Sequence, residues 1–219
     1  MTITNKQAVI FDMDGLLINS EPLWYEAEVA VFAELGVSID AVPVAARTGL
    51  RIDNIVELYF RASPWQGVTK QEVYQRIMDY ATQRIRETRP IMPGVKEALH
   101  KVKAQGLKTA IASASPLNLV EEVVALFKLE DDFDTLCSSE HLSNSKPHPE
   151  VYLMTAKQLG VSPLDCIGVE DSVNGMIAVK AARMKSIVVP EASVFSDPRW
   201  SLAEIKLKSL LDLSIDDLR

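Results

Sequence analysis

Residues 9–21, VIFDMDGLLINSE, run a short apolar strand straight into two carboxylates, Asp12 and Asp14, with only Met13 between them. Like charges this close repel, and each is costly beside a buried strand end unless something compensates it. Solvation in a loop is one resolution and a bound cation is the other. The choice depends on what the rest of the chain brings to the same place.

Outward from this stretch, AVIFDM reads as a buried strand. Residues 20–88 carry only helical patterns, over 21–35, 51–61 and 69–88; in the last, Val73, Ile77, Tyr80, Ala81 and Ile85 recur at helical spacing. The pattern then changes to alternating helix and strand. A helix with Pro93 in its first turn is stopped by Gly106, and LKTAIAS (107–113) is a strand. Ser115 suits the cap of the next helix, with Pro116 at its first position and Leu119, Val120, Val123, Val124 and Phe127 on its inner face. FDTLCSS (133–139) is a strand, Pro149 opens a helix that Gly160 ends, and CIGVE (166–170) is a strand. A helix over 173–184 and the strand SIVVP (186–190) complete the series.

Such alternation predicts an α/β fold, a Rossmann-like parallel sheet with helices on both faces. The helical segment after the first strand is too long for an ordinary crossover. It reads as an inserted all-helical cap, 18–88, on a core made of 1–17 and 89–219, with hinges near 15–18 and 88–93. Two bodies joined this way enclose a cleft.

Composition narrows the function. The 219 residues are 47% hydrophobic and 24% charged, enough for one sizeable core with a smaller attached domain. No apolar run approaches the ~18 residues of a membrane span, and MTITNKQ lacks the features of a secretory signal. Cys137 and Cys166 each lie in an apolar run, which suits buried thiols in a reduced, cytoplasmic protein. The net charge of −7 without a basic cluster argues against nucleic acid or an anionic membrane as partner. Nothing demands more than a monomer.

Ligands of open parallel sheets bind beyond the carboxyl ends of the strands. Those ends carry Asp12 and Asp14, then Ser113, Ala114 and Ser115, then Lys146 in SNSKPHP, then Glu170 and Asp171. So many acids around a single lysine call for a divalent cation. Clustered carboxylate oxygens suit Mg²⁺, which also shares phosphate oxygens.

At these positions the chain resembles the haloacid dehalogenase-like hydrolases with an inserted helical cap, and among them the sugar phosphatases. FDMDGLLINSEPLW, ASASP, SKPHPEVYL and EDSVNGM match that family's four motifs in order, while Asn19 stands where relatives often carry Asp. The resemblance implies a Mg²⁺-dependent phosphatase, with Mn²⁺ able to substitute, acting on small sugar or sugar-alcohol phosphates such as hexitol phosphates and 2-deoxyglucose 6-phosphate. It implies Asp12 as nucleophile and Asp14 as acid and base. Asp12, the Asp14 backbone carbonyl and Asp171 would hold the ion, with Glu170 adjacent or reaching it through water. Met13, Ser113, Ala114 and Lys146 would join both aspartates around the phosphoryl group. A β-phosphoglucomutase-like transfer would use the same core residues. In the cap, Glu21, Trp24, Arg51 and Asn54 are the candidates for contact with the sugar.

Overall fold

The computed structural model describes residues 6–219. Its first strand, β1 (Ala8–Phe11), is followed by α1 (Glu21–Glu34), the short α2 (Val44–Arg47), α3 (Ile52–Ala62) and α4 (Lys70–Thr88). The rest alternates: α5 (Val95–Ala104), β2 (Lys108–Ser113), α6 (Leu117–Phe127), β3 (Thr135–Ser138), α7 (Glu150–Leu159), β4 (Cys166–Glu170), α8 (Val173–Ala181) and β5 (Lys185–Val188). A two-residue strand, β6 (Ile205–Lys206), closes one edge. Neither it nor the 3₁₀ turns around it is long enough to leave a periodic signal in the sequence.

The six strands form one sheet in the order β3-β2-β1-β4-β5-β6, and every pairing is parallel. β1 is central, and its alternation divides the core: Val9 and Phe11 face one layer while Ala8 and Ile10 face the other. The first layer is filled by Val95, Leu99 and Val102 of α5 with Val120 and Val124 of α6. Opposite them, Val151, Tyr152 and Ala156 of α7 pack with Ala178 and Val179 of α8.

The helices between β1 and α5 pack on one another above the sheet. α4 begins with a full capping box between Thr69 and Glu72 and lays Val73, Ile77, Ala81 and Ile85 inward. Phe32 of α1 stacks on Tyr59 of α3 with ring centroids 4.1 Å apart. Two strands of chain join this layer to the sheet and run side by side. Asn19 N–H donates to Pro90 O at 2.7 Å, and Met92 N–H donates to Leu17 O at 2.9 Å. Among the described residues no helix is long and apolar enough to cross a membrane.

Two helix starts differ from expectation. Pro93 lies before α5, whose N-cap is Gly94 at φ +88°. At α6 the N-cap is Pro116 rather than Ser115, and it makes no side-chain capping bond. The Ser115 hydroxyl is engaged elsewhere.

Candidate active site

The carboxyl end of β1 sits between β2 and β4, so the residues that follow it face the ends of both neighbours. Asp12 continues the ladder by donating its N–H to Val169 O at 3.0 Å. The chain then turns tightly, with Leu17 and Ile18 donating backbone N–H groups to Met13 O. The Met13 side chain is buried in the apolar core. Gly15 has φ +79°, and a Cβ there would lie 2.0 Å from Asp171 Oδ2. Only glycine permits both the left-handed turn and this approach.

Lys146 is 1% exposed and holds the centre together. Its ammonium donates to Asp12 Oδ1 at 2.7 Å and to Glu170 Oε1 at 2.6 Å. Burial disfavours its charge, yet the two carboxylates hold it above the ordinary lysine value. Glu170 is committed on both oxygens. Tyr152 donates to Oε1 at 2.5 Å, while Oε2 accepts from the N–H groups of Asp171 and Ser172 and from the Ser172 hydroxyl. Gly175 makes room for this carboxylate, since a Cβ there would lie 1.9 Å from Glu170 Cδ. Ser172 also caps α8 by accepting from Gly175 N–H.

Oxygens of Asp12, Glu170 and Asp171 come within 4.8 Å of one another. Burial first, and repulsion from Glu170 next, raises the Asp12 carboxyl well above its usual range. Burial and repulsion from Asp12 do the same to Asp171. One ammonium does not balance this set, and its free donors are hard oxygens, so the residues fit a small divalent cation. Among the described residues the Asp171 carboxylate has no hydrogen-bond donor. Its oxygens and the Asp12 oxygen not bonded to Lys146 are free to hold such an ion, whereas both Glu170 oxygens are engaged by protein donors.

Asp14 points away from this cluster. Its Oδ1 accepts from Ser20 Oγ at 2.7 Å and Trp24 Nε1 at 2.9 Å; its Oδ2 accepts from Ser115 Oγ at 2.7 Å and, at 3.4 Å, from Ser113 Oγ. A cavity of about 990 Å³ opens between the sheet and the helices above it. From the sheet side Asp12, Asp14, Ala114, Ser115, Lys146 and Asp171 line it; from the helical side come Glu21, Trp24, Tyr25, Glu28, Arg47 and Arg51.

The structure thus brings Asp12, Asp14, Ala114, Lys146 and Asp171 to one cavity. Ser113 is fully buried behind it, where its hydroxyl accepts from Ser115 N–H at 3.0 Å. Of the cap candidates, Glu21 and Trp24 line the cavity, and burial followed by the Asp14 charge pushes Glu21 up to about 7. Arg51 lies at its edge with Nη1 donating to Ser139 O at 2.6 Å and Leu142 O at 2.8 Å. Asn54 lies outside the lining and donates to Ser145 Oγ at 2.6 Å. Sequence reasoning missed Ser20, Ser115 and Tyr152 as partners of the acids, and Glu28 and Arg47 in the cavity wall. Ser20, Ser115 and Tyr152 carried a signal, since each lies inside one of the matched motifs, whereas Glu28 and Arg47 lie outside all four.

A family model described as haloacid dehalogenase-like hydrolase matches residues 9–189. The chain is 54% identical over 212 residues to hexitol phosphatase B of Escherichia coli, covering 96% of each. It is 32% identical over 187 residues to a phosphorylated carbohydrates phosphatase of Thermotoga maritima, covering 83% of each. Among solved structures it superposes on a β-phosphoglucomutase of Clostridium difficile with a TM-score of 0.85 and 27% identity, covering 96% of this chain and 94% of that one.

Proposed function

The chain belongs to the haloacid dehalogenase-like hydrolases, and from that membership we propose that it is a Mg²⁺-dependent phosphatase of small sugar or sugar-alcohol phosphates. The observation that carries this reading is the setting of Asp12. A buried carboxylate follows the central strand with one oxygen on Lys146 and an oxygen within 4.8 Å of those of Glu170 and Asp171, in the lining of a cavity roomy enough for a phosphorylated sugar. Residues 1–17 and 89–219 are the catalytic core in this reading, with 1–5 lying outside the described residues, and 18–88 are the cap that sets specificity.

Asp12 attacks phosphorus in line; its oxygen–phosphorus bond forms as the ester bond breaks, leaving an aspartyl-phosphate. Asp14 gives a proton to the departing sugar oxygen. It then takes one from the water that attacks the same phosphorus, releasing inorganic phosphate and restoring Asp12. Asp12, the Asp14 backbone carbonyl and Asp171 would hold the Mg²⁺, or Mn²⁺ in its place; the bound ion supplies the positive charge that lets an anionic nucleophile meet an anionic phosphate. Lys146 adds a fixed charge beside the nucleophile, and Ala114, before the start of α6, offers its N–H to the phosphoryl oxygens. The Met13 backbone joins the phosphoryl site, while the Ser113 hydroxyl, expected on the phosphoryl oxygens, is buried behind the cavity and supports the site through Asp14 and the Ser115 N–H. Both cysteines are buried and free, which suits a reducing cytoplasm, and the enzyme works there as a monomer on a free small molecule.

Incubation with a panel of hexitol and sugar phosphates in Mg²⁺ should release inorganic phosphate, and excess EDTA should stop it. Asp12→Asn should abolish turnover and labelling by phosphate. Near wild-type turnover by that variant sinks the assignment. The likeness to a β-phosphoglucomutase favours a second reading, in which the phosphoryl group returns to the sugar. Isomer formation without phosphate release would select it; the 54% identity to a hexitol phosphatase favours hydrolysis.

A further inference from the structure

The cavity wall opposite the acids holds a charged pair that this reaction leaves unused. Glu21, Trp24, Tyr25 and Glu28 follow helical spacing on α1, and all four line the cavity. Glu28 is 2% exposed and its Oε2 accepts from Nη1 of Arg47, which reaches in from α2. Arg47 is 7% exposed, lines the same cavity and lies over the Tyr25 ring at 5.4 Å. Its Nε is buried without a partner.

A buried ion pair is no gain over apolar packing of the same volume, because both charges lose their water. Burial pushes Glu28 up to about 7 even with Arg47 beside it, so desolvation outweighs the pairing. A guanidinium N–H left unbonded adds to the cost. In a cap built only for packing, such a pair would be a liability. In a cavity wall it is a ready set of polar groups for a bound molecule.

Its position says which part of that molecule. Trp24 contacts Asp14, the residue beside the leaving oxygen, at 2.9 Å. Glu28 follows one turn later on the same helix face, about 6 Å further along the axis, a distance comparable to an extended chain of several carbons. Resting on the phosphatase reading, we propose that Glu28 and Arg47 read the distal hydroxyls of a polyol chain whose phosphate lies at Asp12. A carboxylate that accepts beside a guanidinium that donates matches a vicinal diol, in which each hydroxyl does both. A short phosphomonoester does not reach the pair, and a long one lacking distal hydroxyls leaves it unsatisfied.

The test compares kcat/KM for phosphomonoesters of three-, four-, five- and six-carbon sugar alcohols. In the wild type, kcat/KM should rise with chain length. The double variant Glu28→Gln/Arg47→Met removes both charges together, so neither is stranded, and should cut the six-carbon over three-carbon preference about tenfold or more. Loss by a common factor at every length, with the preference intact, would show that the pair only supports the cap and would overturn the proposal. If the double variant does not fold, as judged by its Tm, Arg47→Lys keeps the charge, loses the planar fork, and must flatten the same gradient. Wild-type turnover with no dependence on chain length refutes the pair alone. No phosphate release from any ester refutes the phosphatase reading, and the pair proposal with it.

Discussion

Trp24 donates its indole N–H to Asp14 at 2.9 Å, from the helical layer down to the loop that follows the central strand. With Ser20 on the same oxygen and Ser115 on the other, the carboxylate is held on both sides by donors. The direction of Asp14 decides whether its proton meets the leaving oxygen, and small misplacements of a catalytic group are expensive. Trp24→Phe keeps a ring in a buried position and removes only the donor. It should lower kcat for a sugar phosphate about tenfold, one charge-assisted hydrogen bond of ~1.5 kcal/mol. An aryl phosphate, whose leaving group needs little protonation, should lose less. Equal losses on both esters would show that Trp24 acts by packing.

Lys146 lies between Asp12 and Glu170, and all three are buried. Lys146→Met fills similar volume but leaves two buried carboxylates without their cation. Removing one partner from such a group costs about 3–5 kcal/mol. Denaturation in EDTA should therefore show a clear loss of stability, and Mg²⁺ should restore part of it, because an ion that binds only the folded state stabilises it by mass action. Phosphatase turnover should fall by at least about a hundredfold, the scale of losing one oriented electrostatic donor. Unchanged stability in EDTA would contradict the charge balance inferred for the site.

The fold and the acids were legible because their signals are local. Asp12 and Asp14 adjoin a strand, and Lys146 and Asp171 follow strands whose parallel order brings their ends together. Ser115 was not legible in its role: beside Pro116 it reads as a helix cap, yet its hydroxyl crosses to Asp14, 101 positions away in sequence. Glu28 and Arg47 stand outside every motif, and no spacing rule pairs a carboxylate of α1 with an arginine of α2. Arg51 and Asn54 read as candidates for contact with the sugar, yet both bond the core. Their partners, backbone carbonyls and a serine of the core, leave no mark in a sequence.

Asp171 and Glu170 are adjacent but differently engaged. Glu170 accepts from Lys146, Tyr152, Ser172 and the Asp171 N–H, whereas the Asp171 carboxylate meets no donor among the described residues. Asp171→Asn should thus raise the Mg²⁺ concentration needed for half-maximal turnover far more than Glu170→Gln, although groups behind the ligands can still account for ~10–100-fold. Glu170→Gln should instead lower Tm, because a neutral amide cannot match the buried ammonium. Calorimetric Mg²⁺ titration and thermal melts of the two variants separate these effects. Equal shifts in Mg²⁺ affinity would place both acids on the ion.

Arg51 and Asn54 grip one loop of the core, and that loop carries Lys146. Arg51 donates to the carbonyls of Ser139 and Leu142, and Asn54 donates to the hydroxyl of Ser145, the residue before the lysine. From the other side Asn174 donates to Thr48 O at 2.9 Å, so the start of α3 and the turn before it are tied to the sheet at two points. These bonds hold the cap over the cavity, where exclusion of water strengthens every charge interaction within. A residue that reads the sugar and a residue that holds the cap down make different predictions. If Arg51 touched the sugar, Arg51→Met would reorder kcat/KM among sugar phosphates. If it ties the cap to the Lys146 loop, the loss should be nearly the same factor for every ester, an aryl phosphate included, at about tenfold for hydrogen bonds from a charged donor. Asn54→Ala should give a smaller uniform loss. The double variant should lose less than the product of the two, since both side chains hold the same loop and neighbouring effects do not add. Kinetics of the two single variants and the double one on three unrelated phosphomonoesters decide the matter. A substrate-dependent Arg51→Met effect would return Arg51 to the sugar site.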